Sequence, residues 1–482
     1  MTRKDRKERI MKKRLLSAAL ALLLLVPSAG CEKAGPADGK LETAAPSDGY
    51  FDPEWPRPDY SGFTLPGETG ELLLYADMMS GDVITPAVRI FESLYPDVTV
   101  TVERYGEDEI KERIRADLPA GKGPDLLVFG ETTIPDVYKT ESTGIFEDLG
   151  GYFEADPEID QADFVPSVMN EMLFRGLQYV VPLHYEVPIL VTTEALLRET
   201  GVEDPSAFEN FAEAARRYKE AHPDGTLFVD VVDADPTSVN LKAIARYAGI
   251  PFIDYPHEEV SCDEERFRTY IDLLKLYDVP DYDVGNYTGQ EYKMWGDYLT
   301  HTALIRKECL FSNYNKGFLG FFTSHKKLRG EDAAVTFVPR DPDGSVMAEI
   351  VLMASIPEAS KNKLNAWRLL KILLSDEIQA GRDESDHNQS YFWVGLPVRE
   401  SSIRKEAEYN VEHWGYDLED EEDRAIFQHY VDLCTSVDGV RVLPNVWFRY
   451  IRLEMFPYVY GEKPWDDCYK RFLNTLELYA SE

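Results

Sequence analysis

The sequence predicts an α/β protein of two domains or more, on three observations. Short apolar runs that read as buried strands alternate with amphipathic helical segments from Glu71 onward. Their order over residues 71–129 is β-α-β-α-β, which implies a parallel sheet with right-handed crossovers. The 482 residues also exceed the size at which one hydrophobic core stops growing.

Each element follows from its residues. The run 71–76, Glu-Leu-Leu-Leu-Tyr-Ala, reads as a buried strand. Residues 86–94 carry a helix signal with Pro86 in the first turn. The β-branched run 98–103 is a second strand. Residues 109–118 form an amphipathic helix with Ile110 and Ile114 on one face, and 125–129 a third buried strand. The alternation continues through 179–181, 189–191 and a helix over 206–221. Helix-rich segments close the chain after about Gly395, and no internal repeat is evident.

Ahead of the body stands a basic head from Arg3 to Arg14, an uncharged run from Leu15 to Val26, then Ser28-Ala29-Gly30-Cys31. This is the pattern of a secretory signal peptide, and the run is shorter than the roughly 20 residues that cross a hydrocarbon core. Its tail resembles the lipobox of bacterial lipoproteins, with Ser28 where that motif usually has Leu. The resemblance implies lipidation of Cys31 and removal of residues 1–30; the alternative is an uncleaved anchor. Either places the body outside the cytoplasmic membrane and held to it. Met11 is an alternative start. Residues 32–68, broken by prolines, read as a tether, or in their second half as an ordered arm packed by Tyr50, Phe51 and Trp55.

Composition narrows the function classes. Apolar residues make up 44% of the chain and aromatics 12%, a globular balance. The net charge is -36, and the first 14 residues contribute +6, so the chain from Cys31 is near -42. Such a surface repels nucleic acid and anionic lipid. Cys262, Cys309, Cys434 and Cys468 lack the close spacing of a zinc site, and leave open two disulfides or isolated buried thiols.

Several motifs, taken in order, resemble the extracellular solute-binding proteins of ABC importers, the branch that includes maltose-binding protein. They are Tyr95-Pro96-Asp97-Val98-Thr99-Val100, Gly121-Lys122-Gly123-Pro124-Asp125-Leu126, Gly144-Ile145-Phe146-Glu147-Asp148-Leu149 and Gln178-Tyr179-Val180-Val181-Pro182. Further on come Lys307-Glu308-Cys309-Leu310-Phe311, Ser360-Lys361-Asn362-Lys363 with Ala366-Trp367, and Gly395-Leu396-Pro397-Val398. Phe208 stands where the family usually has Trp, and residues 407–482 match little. The resemblance implies a periplasmic-binding-protein-like fold of type II, with two three-layer α/β lobes joined by a hinge. Lobe one is expected at 69–187 plus 342–375, and lobe two at 188–341 plus 376–482. The hinge is expected near Pro188 and near 341–344.

Ligands of open α/β sheets bind beyond the carboxyl ends of strands. That rule selects Asp77 and Met78, Gly130 and Glu131, then His184, Tyr185 and Glu186 at the crossover, and Asn313 and Tyr314 after a strand ending at Phe311. Trp393 is added from an unusually aromatic turn. Carboxylates, amides and aromatic faces suit a sugar. No Walker A loop, Gly-x-Ser-x-Gly or His-Glu-x-x-His is present. The loop 281–286 has an incomplete set of calcium ligands and reads as a solvated turn. The expected protein is a monomeric, lipid-anchored receptor on the extracytoplasmic face of the cell membrane. It needs no cofactor or metal, captures a small ligand, expected to be a carbohydrate, and passes it to ABC permease subunits. An exported glycosidase and a ligand sensor without transport are the alternatives.

Overall fold

A computed structural model describes residues 55–170, 172–229, 236–277, 304–314, 318–383, 389–390, 395–413 and 415–481. Cys31, Tyr50, Phe51, the loop 281–286 and Trp393 lie outside them.

The first three strands, β1 (Glu71–Asp77), β2 (Thr99–Tyr105) and β3 (Leu126–Gly130), are parallel, with β1 between the other two. Next come β4 (Val181–Glu186), β5 (Ile189–Thr193), β6 (Thr226–Val229), β7 (Ile253–Asp254), β8 (Glu259–Val260), β9 (Cys309–Tyr314) and β10 (Ala334–Phe337). The last are β11 (Met347–Ser355), β12 (Arg382–Asp383), β13 (Gln389–Ser390), β14 (Leu396–Pro397) and β15 (Gly439–Arg441). A seven-stranded sheet has the order β14-β4-β11-β3-β1-β2, with β15 paired to β11. A four-stranded sheet has the order β10-β5-β9-β6. Each carries its own apolar core.

The central strands are buried on both faces, as their apolar runs require. All of β3, β4 and β5 is buried. In the second core, Phe208, Phe211, Ala212, Ala215 and Tyr218 line the inner face of the helix Phe208–Ala221. Phe208 stacks on Phe211 with ring centroids 6.1 Å apart.

Two family-like motifs prove to be one device. Asp125 of the Gly-Pro-Asp turn accepts hydrogen bonds from Leu73 N at 2.8 Å, Ser360 Oγ at 2.7 Å and Asn362 Nδ2 at 2.9 Å. The Ser-Lys-Asn turn is thereby bolted to the edge of β1, ahead of the helix Lys363–Leu373. That helix buries Ala366, Leu369, Leu370 and Leu373, and the adjoining Leu374 is buried with them. Trp367 donates its Nε1–H to Asp156 at 2.8 Å.

Two expectations need correcting, and two open alternatives are resolved. Pro86 lies inside a helix running Gly81–Leu94, not in its first turn, because Asp77 accepts the Ser80 N–H and a 3-10 turn at Met78–Ser80 starts the coil earlier. The sequence 376–442 was expected in the second lobe, yet Ile378, Leu396, Val398, Ile403, Tyr430 and Val440 join the first core. There β14 extends β4 and β15 extends β11; residues from Trp447 onward join the second core. Residues 55–68 carry no helix or strand but are packed: the Tyr60 hydroxyl donates to Asp148 at 2.5 Å, and Phe63 lies 4.9 Å from the Tyr152 ring. Among the alternatives for the cysteines, Cys262, Cys309, Cys434 and Cys468 are free thiols.

Candidate functional site

The chain passes between the two cores at β4–β5, between β10 and β11, and after β15, and the helix Phe318–Lys327 between β9 and β10 also sends Phe321 and Phe322 into the first core. Several candidate residues gather where the first two passages leave the first sheet. Glu186 ends β4 and is paired across the ladder with Glu349 of β11. Glu131 follows β3, its N–H donating to Val351 O at 3.2 Å. From the second core, the helix Pro236–Ala248 delivers Arg246 to the same place.

Arg246 Nε lies 2.6 Å from Glu349 Oε2. The two opposite charges form a buried ion pair. Burial alone would lower the Arg246 guanidinium, but the carboxylates of Glu349, Glu186 and Glu131 outweigh it and hold the cation above its ordinary range. Burial raises the Glu349 carboxyl; Arg246 and Arg441 oppose that rise and Glu131 adds to it. Arg441 of β15 completes the set. Its Nη1 lies 3.0 Å from both oxygens of Asp341, and its Nη2 donates to Arg246 O at 2.5 Å. Asp341 opens the expected hinge turn, where Gly344 has φ +90°. Gly249 lies so close that a Cβ there would stand 2.2 Å from Asp341 Oδ1, which keeps a side chain out of the crossing.

A second junction of the two cores lies on the helix Val137–Glu141. Asp136 Oδ2 accepts from Tyr255 at 2.5 Å and from Tyr479 at 2.8 Å, and the Tyr138 ring lies 4.9 Å from that of Tyr255. Burial raises the Asp136 carboxyl, against these hydrogen bonds.

The remaining candidates separate. Asp77 is buried, and its carboxylate accepts from Ser80 N, Gly130 N and the Thr133 hydroxyl, so it ties the ends of β1 and β3 together. Met78 beside it is 70% exposed. Tyr185 points the other way from its neighbour Glu186: it is fully buried in the first core, with its hydroxyl donating to Cys434 O at 2.7 Å. It is a packing residue, and the expectation that it faces a ligand is withdrawn. His184 is buried too. Asn313 and Tyr314 belong to β9 rather than to a loop after it, paired with Leu190 and Ile189 at the start of β5.

Sequence reasoning missed Arg246, Glu349 and Arg441. A basic residue in the last turn of a helix is ordinary helix chemistry, so nothing marks Arg246 out. Glu349 does carry a signal, as an acid inside an otherwise apolar strand. Among the described residues, no group of three or more His, Cys, Asp or Glu is placed to hold a metal, and no helix is long and apolar enough to cross a membrane.

Comparison with known proteins agrees with this architecture. A maltotriose-binding protein of Pyrococcus abyssi is 20% identical over 221 residues, which is 45% of each chain. The match thus spans less than half of that relative's length. Among solved structures, the sugar-binding protein MalE of Xanthomonas citri superposes with a TM-score of 0.58 at 16% identity, covering 85% of this chain and 97% of that one. An oligosaccharide periplasmic-binding protein of Synechococcus sp. MITs9220 gives 0.56 at 16% identity, covering 85% and 99%. At such identities the likeness is one of fold, the two-lobed α/β fold of maltose-binding-like proteins. Residues 76–380, more than half of the chain, match the family described as bacterial extracellular solute-binding protein, and the chain belongs to that family.

Proposed function

We propose that the protein is a lipid-anchored, extracytoplasmic receptor that captures a sugar or oligosaccharide and presents it to an ABC permease. The observation that carries this reading is the meeting of Glu131, Glu186 and Glu349 from the first sheet with Arg246 from the second core, at the strand ends where the chain crosses. Carboxylates and a guanidinium held in fixed positions suit an array of hydroxyl groups. The maltotriose-binding relative supports the same ligand class. The protein acts by binding and closure, not turnover: contacts available only when both lobes meet the ligand shift the population toward the closed form.

Maltotriose and related oligosaccharides are the first ligands to screen, by thermal unfolding of the soluble 32–482 chain. A true ligand at 100 times its Kd should stabilise the fold by about 2.7 kcal/mol. It should also shrink the radius of gyration in solution scattering. Absence of stabilisation by every sugar tried would remove the ligand class, and stabilisation with an unchanged radius would remove closure. The anchor is tested separately. Cys31→Ser should abolish lipid labelling and leave the chain uncleaved or released from the membrane fraction, and normal labelling of that variant would refute the anchor.

A further inference from the structure

Two tight turns, one from the chain between the helix Pro166–Asn170 and β4 and one between β7 and β8, face each other. The first is Phe174–Leu177, closed by Phe174 N to Leu177 O at 3.0 Å and Leu177 N to Phe174 O at 3.1 Å. Its two central residues, Arg175 and Gly176, have φ of +51° and +79°. The second joins β7 to β8 and contains Pro256 and Glu258, the latter with φ +59°. Of the three non-glycine residues with left-handed backbone among those described, two are Arg175 and Glu258.

These two residues are partners. Arg175 sends Nε and Nη2 to the Pro256 carbonyl, at 3.1 and 2.5 Å, and Nη2 also to Glu258 Oε1 at 3.2 Å. A bulky residue in the left-handed region costs backbone energy and persists only where the surroundings hold it. Here the side chains of both strained positions are spent on one bridge between the cores. A guanidinium fork can grip a carbonyl and a carboxylate at once, which an ammonium cannot.

The other face of the fork is covered by the N-terminal arm. The Arg175 guanidinium lies 5.2 Å from the centre of the Trp55 ring and as far from Phe174. The arm's backbone rests directly on the turn: a Cβ at Gly176 would stand 2.6 Å from Trp55 O and 2.8 Å from Pro56 O. Arg57 then donates to Asn170 Oδ1 at 2.8 Å, holding the arm in register.

We propose that Arg175 is a latch between the two lobes and that the N-terminal arm, through Trp55, sets its hold. The segment that leads toward the membrane would thus be coupled to the relative position of the lobes. The inference rests on the two-lobed fold and not on the ligand.

The test measures the lobes without any ligand. Spin labels are carried on unnatural ketone-bearing residues replacing the exposed Leu94 and Leu453, one on each core, in the full chain. Arg175→Gly removes the guanidinium while glycine keeps the left-handed turn without strain, so the variant folds. The fraction of molecules at the wild-type label distance should fall at least twofold in Arg175→Gly and in Arg175→Lys. Trp55→Ala should move it the same way by less. An unchanged distance distribution in Arg175→Gly overturns the latch. A changed distribution in Arg175→Gly with none in Trp55→Ala overturns the role of the arm.

Discussion

Arg246 brings one guanidinium against three glutamates, and its worth is set by what its loss would leave behind. Arg246→Met leaves Glu349 almost fully buried beside Glu131, with Arg441 its nearest remaining cation. Removing one partner of a buried ion pair costs about 3–5 kcal/mol, whereas exchanging both for apolar groups is often close to neutral. Arg246→Met should therefore unfold in urea at a much lower midpoint than wild type, and Arg246→Met/Glu349→Leu should regain most of the difference. Equal midpoints for the single and double variants would show that the pair is not what holds this junction. Two neighbours, Glu186 and Tyr185, show what was legible at this scale. The position of Glu186 near the crossover could be placed, because it lies between the apolar runs 179–181 and 189–191. Tyr185 could not, because β4 is buried along its whole length and alternation then carries no signal about which face meets a ligand.

At the scale of elements, the helix Phe318–Lys327 packs on the helix Glu421–Thr435 through Phe321, Phe322 and Tyr430, with half-buried His325 beside His429 at the surface. His325 lies against Phe321 at 4.5 Å and 6.5 Å from His429. Burial, then His429 and Arg329, lowers His325 to about 4, and burial lowers His429 as well. A depressed histidine is neutral when folded and takes its proton on unfolding, so stability is full above about pH 6.5 and is lost as pH falls toward about 4. The loss reaches on the order of 3 kcal/mol for His325. His325→Gln should flatten the pH dependence of unfolding between those limits. Parallel curves for variant and wild type would count against it. Other groups act in the same acid range, Asp156 and Asp163 with the histidines and Asp136, Glu141 and Glu349 against them, which is why the comparison is with the variant. Elements with a strong period were readable: β1 to β3 stand within a few residues of their expected bounds. The bond from Asp125 to Ser360 and Asn362 was not, because a single chain shows two turns and says nothing of their contact.

For the whole molecule, the α/β class and family were legible from alternation and from motif order. The allocation of the last hundred or so residues was not. Amphipathic helices state that they bury a face, and not which core receives it, so 400–442 could be given to either lobe. The third passage of the chain, after β15, follows from that allocation. It also has a consequence for the order in which the protein can assemble. In the first sheet β11 stands between β3 and β4, although β4 and the entire second sheet are synthesised between Gly130 and Met347. Until β11 arrives, β3 and β4 each present an open edge and cannot close on one another. A nascent chain thus stays without its central strand through most of its synthesis, and contacts so distant in sequence make folding slow. Lateness of one strand thus postpones closure of the first sheet until most of the chain has been made.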